Sequence, residues 1–176
     1  MSNKENSAQF VEYLRNAGIT CLYHFTSRRN LESIIRHGGL YSWWYLETHH
    51  IPIPCAGGTE FSRQLDRYNG LHDYVRLSFC PEHPMAYRLK QSGEDVVVLR
   101  ISLEVVELAD TLFSDMNATD SCHHHGGSFE DLKRINIRAT QRRYVRRDDP
   151  EFKALQAEVM SKTFIPSKYI LNLNCA

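Results

Sequence analysis

No stretch of this chain approaches the ~20 consecutive apolar residues that a membrane-spanning helix needs. Residues 1–6, Met1-Ser2-Asn3-Lys4-Glu5-Asn6, lack the apolar segment of a signal peptide. Both absences lead to the expectation of a soluble, cytoplasmic protein with no membrane partner. Nine glycines and six prolines are too few for a collagenous or low-complexity chain. Neither sign of charge prevails, since 21 Lys and Arg face 21 Asp and Glu. No global field therefore draws the chain toward nucleic acid, although a local basic patch stays open. The five cysteines, Cys21, Cys55, Cys80, Cys122 and Cys175, are odd in number and irregularly spaced. That pattern reads as free thiols in a reducing compartment, not as a disulfide framework.

What is present suffices for one domain over residues 1–176, because 42% of the residues are hydrophobic and 24% charged. Phe10, Val11 and Leu14 make an apolar stripe on a helix over residues 7–16. Residues 20–25 read as a strand. Ser27 or Asn30 caps a second helix with Leu31, Ile34 and Ile35 on one face, stopped by Gly38-Gly39. Residues 48–70 look like a long functional loop. Residues 73–79 alternate, with Val75, Leu77 and Phe79 on one face and Tyr74, Arg76 and Ser78 on the other. Residues 95–106 suggest a buried central strand, and Ser128 to Asp131 a capping box opening a helix that turns Phe129, Leu132 and Ile135 inward. Asp149-Pro150-Glu151 suggests a short helix start, and residues 162–165 and 169–171 suggest strands. Strands scattered among helices predict an α+β fold.

Walker, Gly-x-Gly-x-x-Gly, Gly-x-Ser-x-Gly and His-Glu-x-x-His signatures are all missing, which removes the commonest kinase, Rossmann, hydrolase and metalloprotease readings. Three segments carry more. In Tyr23-His24-Phe25-Thr26, a strand places His24 and Thr26 on one face, suited either to a ribose hydroxyl and an amide or to a buried backbone group. Around Pro84-Met85-Ala86-Tyr87, an apolar turn at a strand end either walls a flat heterocycle or packs the core. In Gln156-Ala157-Glu158-Val159-Met160, a strand sends Gln156 and Glu158 to one face, where a carboxylate stabilises positive charge as a glycosidic bond breaks; an amphipathic helix would make them a surface pair. Cys122-His123-His124-His125 holds good zinc ligands, but adjacent residues do not converge on one ion without strain, so it reads as a polar loop and no metal is assigned.

Taken in order, Tyr-His-x-Thr with Asn-Leu-x-x-Ile and Gly-Gly-Leu, then Asp-Tyr-Val…Pro-Met-x-Tyr, then Gln-Ala-Glu-Val-Met resemble the DarT family of bacterial toxins that ADP-ribosylate DNA. Phe113-Ser114-Asp115-Met116-Asn117-Ala118 also looks like a DarT loop. The resemblance implies an ADP-ribosyltransferase-like fold with NAD+ consumed in a split-sheet cleft. It implies NAD contacts at His24, Phe25, Thr26 and Tyr41, and a catalytic glutamate at Glu158. It also implies an arginine ahead of the Asp-Tyr-Val strand, for which Arg63 is the first choice and Arg67 the second. Arginine holds its proton too tightly to act as a base, so its role would be electrostatic positioning. The strand reads Val-Arg-Leu-Ser-Phe-Cys where DarT commonly has Val-Pro-Phe-Tyr-Phe, which suggests a divergent branch.

Lys133, Arg134, Arg138, Arg142, Arg143, Arg146 and Arg147 form a basic run. It suits either a single strand of nucleic acid, with Arg138, Arg142 and Arg143 on phosphates and Tyr144 stacked on a base, or a solvated face balanced by Asp131, Asp148 and Asp149. The leading expectation is transfer to a nucleobase of single-stranded DNA, with a neutralising antitoxin as partner. RNA, protein or water as acceptor, a silent nucleic-acid-binding module, and a zinc-binding regulator remain the alternatives.

Overall fold

A computed structural model describes residues 2–91, 93–143 and 145–173. The chain runs through α1 (Ala8–Asn16), β1 (Leu22–Ser27), α2 (Leu31–Arg36), β2 (Gly39–Tyr41), α3 (Trp43–Thr48) and α4 (Glu60–Tyr68). It continues through β3 (Tyr74–Ser78), α5 (Pro84–Gln91), β4 (Val96–Ile101), β5 (Leu112–Ser114) and β6 (His125–Gly126). It ends with α6 (Phe129–Lys133), α7 (Ile137–Thr140), β7 (Glu158–Lys162) and β8 (Phe164–Pro166). Six strands pair antiparallel in the order β4-β1-β3-β7-β5-β6, and β2 pairs with β8 in a small second sheet.

The large sheet is split. β1 pairs with β4 from Leu22 to Ser27, and β3 with β7 from Tyr74 to Ser78, yet β1 and β3 pair only at Tyr23 and Ser78. The α+β expectation with a split sheet therefore holds. The core forms where the alternation places it: Val75, Leu77, Val97, Leu99 and Val159 are buried together with Phe10, Val11 and Leu14 of α1. Phe10 stacks on Phe113 of β5 and meets Phe129 edge-on, with centroids 5.7 and 5.3 Å away. The N-terminal helix thus braces the strand next to β7.

Motif residues do structural work at the joints. Asp73 accepts from Ser42 Oγ (2.6 Å) and Thr163 Oγ1 (2.5 Å), tying the start of β3 to the ends of β2 and β7. Gly39 is required by close approach: a Cβ there would lie 2.1 Å from the Ile165 carbonyl oxygen. The Ser128–Asp131 capping box forms as expected, with Leu132 and Ile135 buried and Phe129 partly so.

Other expectations need correction. Residues 48–70 are not all loop, since Thr59 caps α4 by accepting from the Ser62 N–H (3.1 Å). Residues 95–106 do not form a central strand: β4 is at the sheet edge, Arg100 is exposed, and the chain bends into a 3-10 turn over Leu103–Glu107. Asn172 and the Leu171 N–H cover that edge by bonding backbone groups of Val98 and Arg100. Ile35 is 56% exposed, not packed beside Ile34. The segment after Asp149 is a turn leading to a 3-10 helix over Ala154–Gln156, because the Asp149 carboxylate is shared between the Glu151 N–H and Arg142. Residues 169–171 contribute only the bridge between Ile170 and Ile101.

Candidate active site

Glu158 opens β7 opposite Ser78 of β3 on one side and Ser114 of β5 on the other. Both serines are buried and small, which leaves room over the middle of the sheet for a larger side chain. Glu158 itself is only 5% exposed. A buried carboxylate is tolerated when its oxygens are paired. Oε2 accepts from Arg76 Nη1 (2.9 Å) and from the Ala118 backbone N–H (3.1 Å). Oε1 has no hydrogen-bond partner among the described residues.

Arg76 lies two residues before Ser78 on β3, so it shares the face of Ser78 and Glu158 and reaches the carboxylate along the cross-strand diagonal. Its Nη2 pairs with Asp66 of α4, and its Nη1 also lies 2.8 Å from Met160 Sδ. The result is a chain Asp66–Arg76–Glu158 with two carboxylates on one guanidinium. Burial pushes the Asp66 carboxyl above its ordinary range, and Arg76 opposes that shift. Ala118 is held in turn by Asn69, whose Nδ2 donates to its carbonyl (3.2 Å).

At the split, the Nδ1 of His24 is 3.0 Å from the Arg76 carbonyl oxygen. A carbonyl only accepts, so the proton is on Nδ1. Burial lowers the His24 pKa, which keeps the ring neutral and leaves Nε2 as an acceptor. Thr26 Oγ1 accepts from Asn30 Nδ2 (3.1 Å). Asn30 is buried and also exchanges two hydrogen bonds with the Cys55 backbone (2.7 and 2.9 Å), pinning the segment before α4 to β1. Phe25 stacks on His83, with centroids 5.9 Å apart. Tyr41 lies between Phe164 (4.2 Å) and Tyr45 (4.7 Å) in a ring stack that His49 extends.

The fold places His24 and Thr26 on β1 and Glu158 on β7, the two strands that flank β3, and Arg76 of β3 links them through its carbonyl to His24 and its guanidinium to Glu158. The fold does not bring Arg63 onto Glu158: Arg63 pairs with Glu47, donates to the Gly57 carbonyl (3.0 Å) and lies 5.0 Å over the Trp43 ring. Arg67 lies over Trp43 as well, at 4.9 Å. Gln156 ends the 3-10 turn before β7 and donates to the Phe152 carbonyl, so it is not a strand partner of Glu158. Pro84 and Tyr87 belong to α5 and not to a strand-end turn; Tyr87 is 64% exposed, and the Met85 side chain lies outside the described part.

The basic run is largely self-neutralised. Arg142 pairs with Asp149 (2.8 Å) and Glu151 (2.6 Å), Arg143 approaches Glu82 (4.0 Å), and Arg146 meets Asp148 (3.1 Å). Arg138 is exposed on α7, and Tyr144 lies outside the described residues. In the histidine tract, His124 pairs with Asp131 and the rings of His123 and His125 stack. Among the described residues, no three His, Cys, Asp or Glu converge as a metal site. The four described cysteines are free thiols. Among the described residues, no helix is long and apolar enough to cross a membrane.

Sequence reasoning missed Arg76, Asp66 and the Ala118 N–H as site groups. Alternation did put Arg76 on the face away from the core, but its partners come from α4 and β7, far off in the chain. Asp66 gave no signal, because its segment read as loop.

A split antiparallel sheet with a buried glutamate on a central strand is the architecture of the ADP-ribosyltransferases, and solved structures of that class match this chain. The family model for the ssDNA thymidine ADP-ribosyltransferase DarT matches residues 23–176. A DNA ADP-ribosyl transferase from Thermus aquaticus is 27% identical over 173 residues, covering 84% of this chain and 71% of that protein. Thermus sp. 2.9 DarT in complex with ADP-ribosylated ssDNA has a TM-score of 0.69 at 25% identity, covering 87% of this chain and 79% of that one. Its complex with NAD+ has a TM-score of 0.68 at the same identity, covering 86% and 79%. The chain belongs to the DarT family of NAD-dependent DNA ADP-ribosyltransferases.

Proposed function

We propose that this chain, acting as one domain over residues 1–176, transfers ADP-ribose from NAD+ to a thymidine of single-stranded DNA, with Glu158 as the catalytic carboxylate. The observation that carries this reading is the buried Glu158 carboxylate on β7, with Oε2 held by two donors and Oε1 without a hydrogen-bond partner among the described residues. NAD+ supplies the ADP-ribosyl group and a nicotinamide leaving group. The donor set suits such a dinucleotide: Oε1 accepts a ribose hydroxyl proton and stabilises positive charge on the sugar. His24 Nε2 accepts a second hydroxyl, and Thr26 keeps its own hydroxyl proton to donate. Phe25 presents a ring face to a flat group, while Tyr41, stacked between Phe164 and Tyr45, offers its hydroxyl. Arg63, with Arg67 as second choice, supplies positive charge for the diphosphate. The acceptor base must leave its stack to reach the sugar. Arg138, Arg142, Arg143 and Tyr144 are proposed to hold the strand, once the acidic partners of Arg142 and Arg143 yield to phosphate. By its likeness to the family, the protein acts in the cytoplasm as a toxin restrained by a neutralising antitoxin.

The test incubates the protein with labelled NAD+ and separate pools of single-stranded DNA, duplex DNA, RNA and protein, with a thymidine-free oligonucleotide as control. Label should enter only thymidine-containing single strands. Label in protein or RNA alone, or nicotinamide release without any acceptor, would replace this reading with another acceptor.

A further inference from the structure

We propose that Arg76 is the positioning residue of the active site: its guanidinium bridges Asp66 and Glu158 and aims Glu158 Oε1 into the cleft. The inference rests on Glu158 being the catalytic carboxylate. A glutamate side chain has three rotatable bonds, so an unanchored carboxylate would spend much of its time turned away from a bound sugar. Two donors fix Oε2 from different directions, Arg76 Nη1 from β3 and the Ala118 N–H from the loop after β5. With one oxygen fixed twice, the planar carboxylate sets the direction of the other.

Arg76 is itself immobilised. Its second nitrogen is held by Asp66, which is 8% exposed on α4. Its backbone carbonyl accepts from His24 Nδ1 across the split (3.0 Å). One residue therefore ties the histidine strand, the helix α4 and the glutamate together. Lysine could not reproduce this, because the planar fork sends separate N–H groups to two carboxylates in fixed directions. The charged or titratable groups facing the guanidinium are Asp66 from α4, Glu158 from β7 and, at longer range, His125 from β6. Removing Arg76 leaves Asp66 facing Glu158 with no intervening cation, and it removes the attraction that opposes the upward push of burial on the Asp66 carboxyl.

The test measures NAD+-dependent transfer to a single-stranded oligonucleotide by Arg76→Gln, Arg76→Lys and Glu158→Gln proteins, with circular dichroism and melting as fold controls. For Arg76→Gln, kcat should fall at least about tenfold while KM for NAD+ stays within about threefold, since an interaction that matters in the transition state is lost. Its acid limb in kcat should move upward by about one pH unit. Arg76→Lys should recover part of kcat but not all of it. A folded Arg76→Gln protein with parental kcat and pH profile would overturn the proposal. Should that variant not fold, parental kcat in Arg76→Lys overturns it instead. Activity in Glu158→Gln would remove the underlying reading, whereas an inactive Glu158→Gln beside a fully active Arg76→Gln would remove only the role of Arg76.

Discussion

The cluster around Glu158 and the arginine-rich run from Lys133 to Arg147 hold the same kinds of side chain, yet the structure treats them oppositely. In the cluster, one arginine serves two carboxylates, and Asp66 and Glu158 are buried. In the run, Arg142, Arg143 and Arg146 face water and each meets an acid from a nearby surface segment. The density of charge in the sequence is highest in the run, but the density of consequence is highest in the cluster. A buried ion is stable only with its partners, whereas an exposed pair exchanges its partner for water or phosphate at little cost.

Substitutions break this contrast in graded steps. Glu158→Gln should lower transfer by at least about 100-fold while leaving the fold intact, because Arg76 keeps Asp66 as partner; melting and nicotinamide release measured on one sample check both halves. Arg76→Ala should cost about 3–5 kcal/mol of stability, since it leaves two carboxylates facing each other in a nearly dry site; urea unfolding measures it.

His83 sharpens the contrast through pH. Burial pushes its pKa down to about 4. Below about pH 6.5 the unfolded chain binds a proton that the folded one refuses, so stability is full above that pH and falls as the pH drops toward 4. At pH 5 the loss from this one group should be about 2 kcal/mol, and His83→Gln should flatten the slope of unfolding free energy against pH between 6.5 and 5. An unchanged slope would assign the acid sensitivity elsewhere, His24 being the next candidate because burial lowers its pKa too.

At the mild end, Asn30→Ala should cost about 1–3 kcal/mol by stranding the Cys55 backbone groups, and it should raise KM for NAD+ more than it lowers kcat. Smallest in effect, Arg142→Ala with Arg143→Ala should leave the melting temperature near its parental value. It should reduce the salt slope of single-strand binding by about 1–2 if these residues reach phosphate. An unchanged slope would leave the run as a solvated face.

Much of this was readable beforehand for physical reasons that differ by element. Phe10, Val11 and Leu14 share a helical stripe, and Val75 and Leu77 alternate, so their burial follows from periodicity alone. Ser128 and Asp131 make their capping box within four residues. Val96-Val97-Val98-Leu99 is apolar on both faces and so reads as a central strand, yet β4 lies at the sheet edge. Only the C-terminal segment over its edge shows why an edge strand carries such residues. The place of Arg63 before the Asp-Tyr-Val strand points to it, but α4 turns Arg63 toward Glu47 and Trp43 and presents Asp66 to Arg76.

Sequence by itself determined the helical stripe of α1, the alternation of β3 and the Ser128–Asp131 capping box, because each of those depends on neighbours a few residues away. Tertiary structure decided which charges matter. Arg76 meets Asp66 from ten residues earlier and Glu158 from 82 residues later, and Ala118 brings its N–H from a third segment. No local pattern encodes such pairings, since they exist only once the strands have parted on one side and paired on the other.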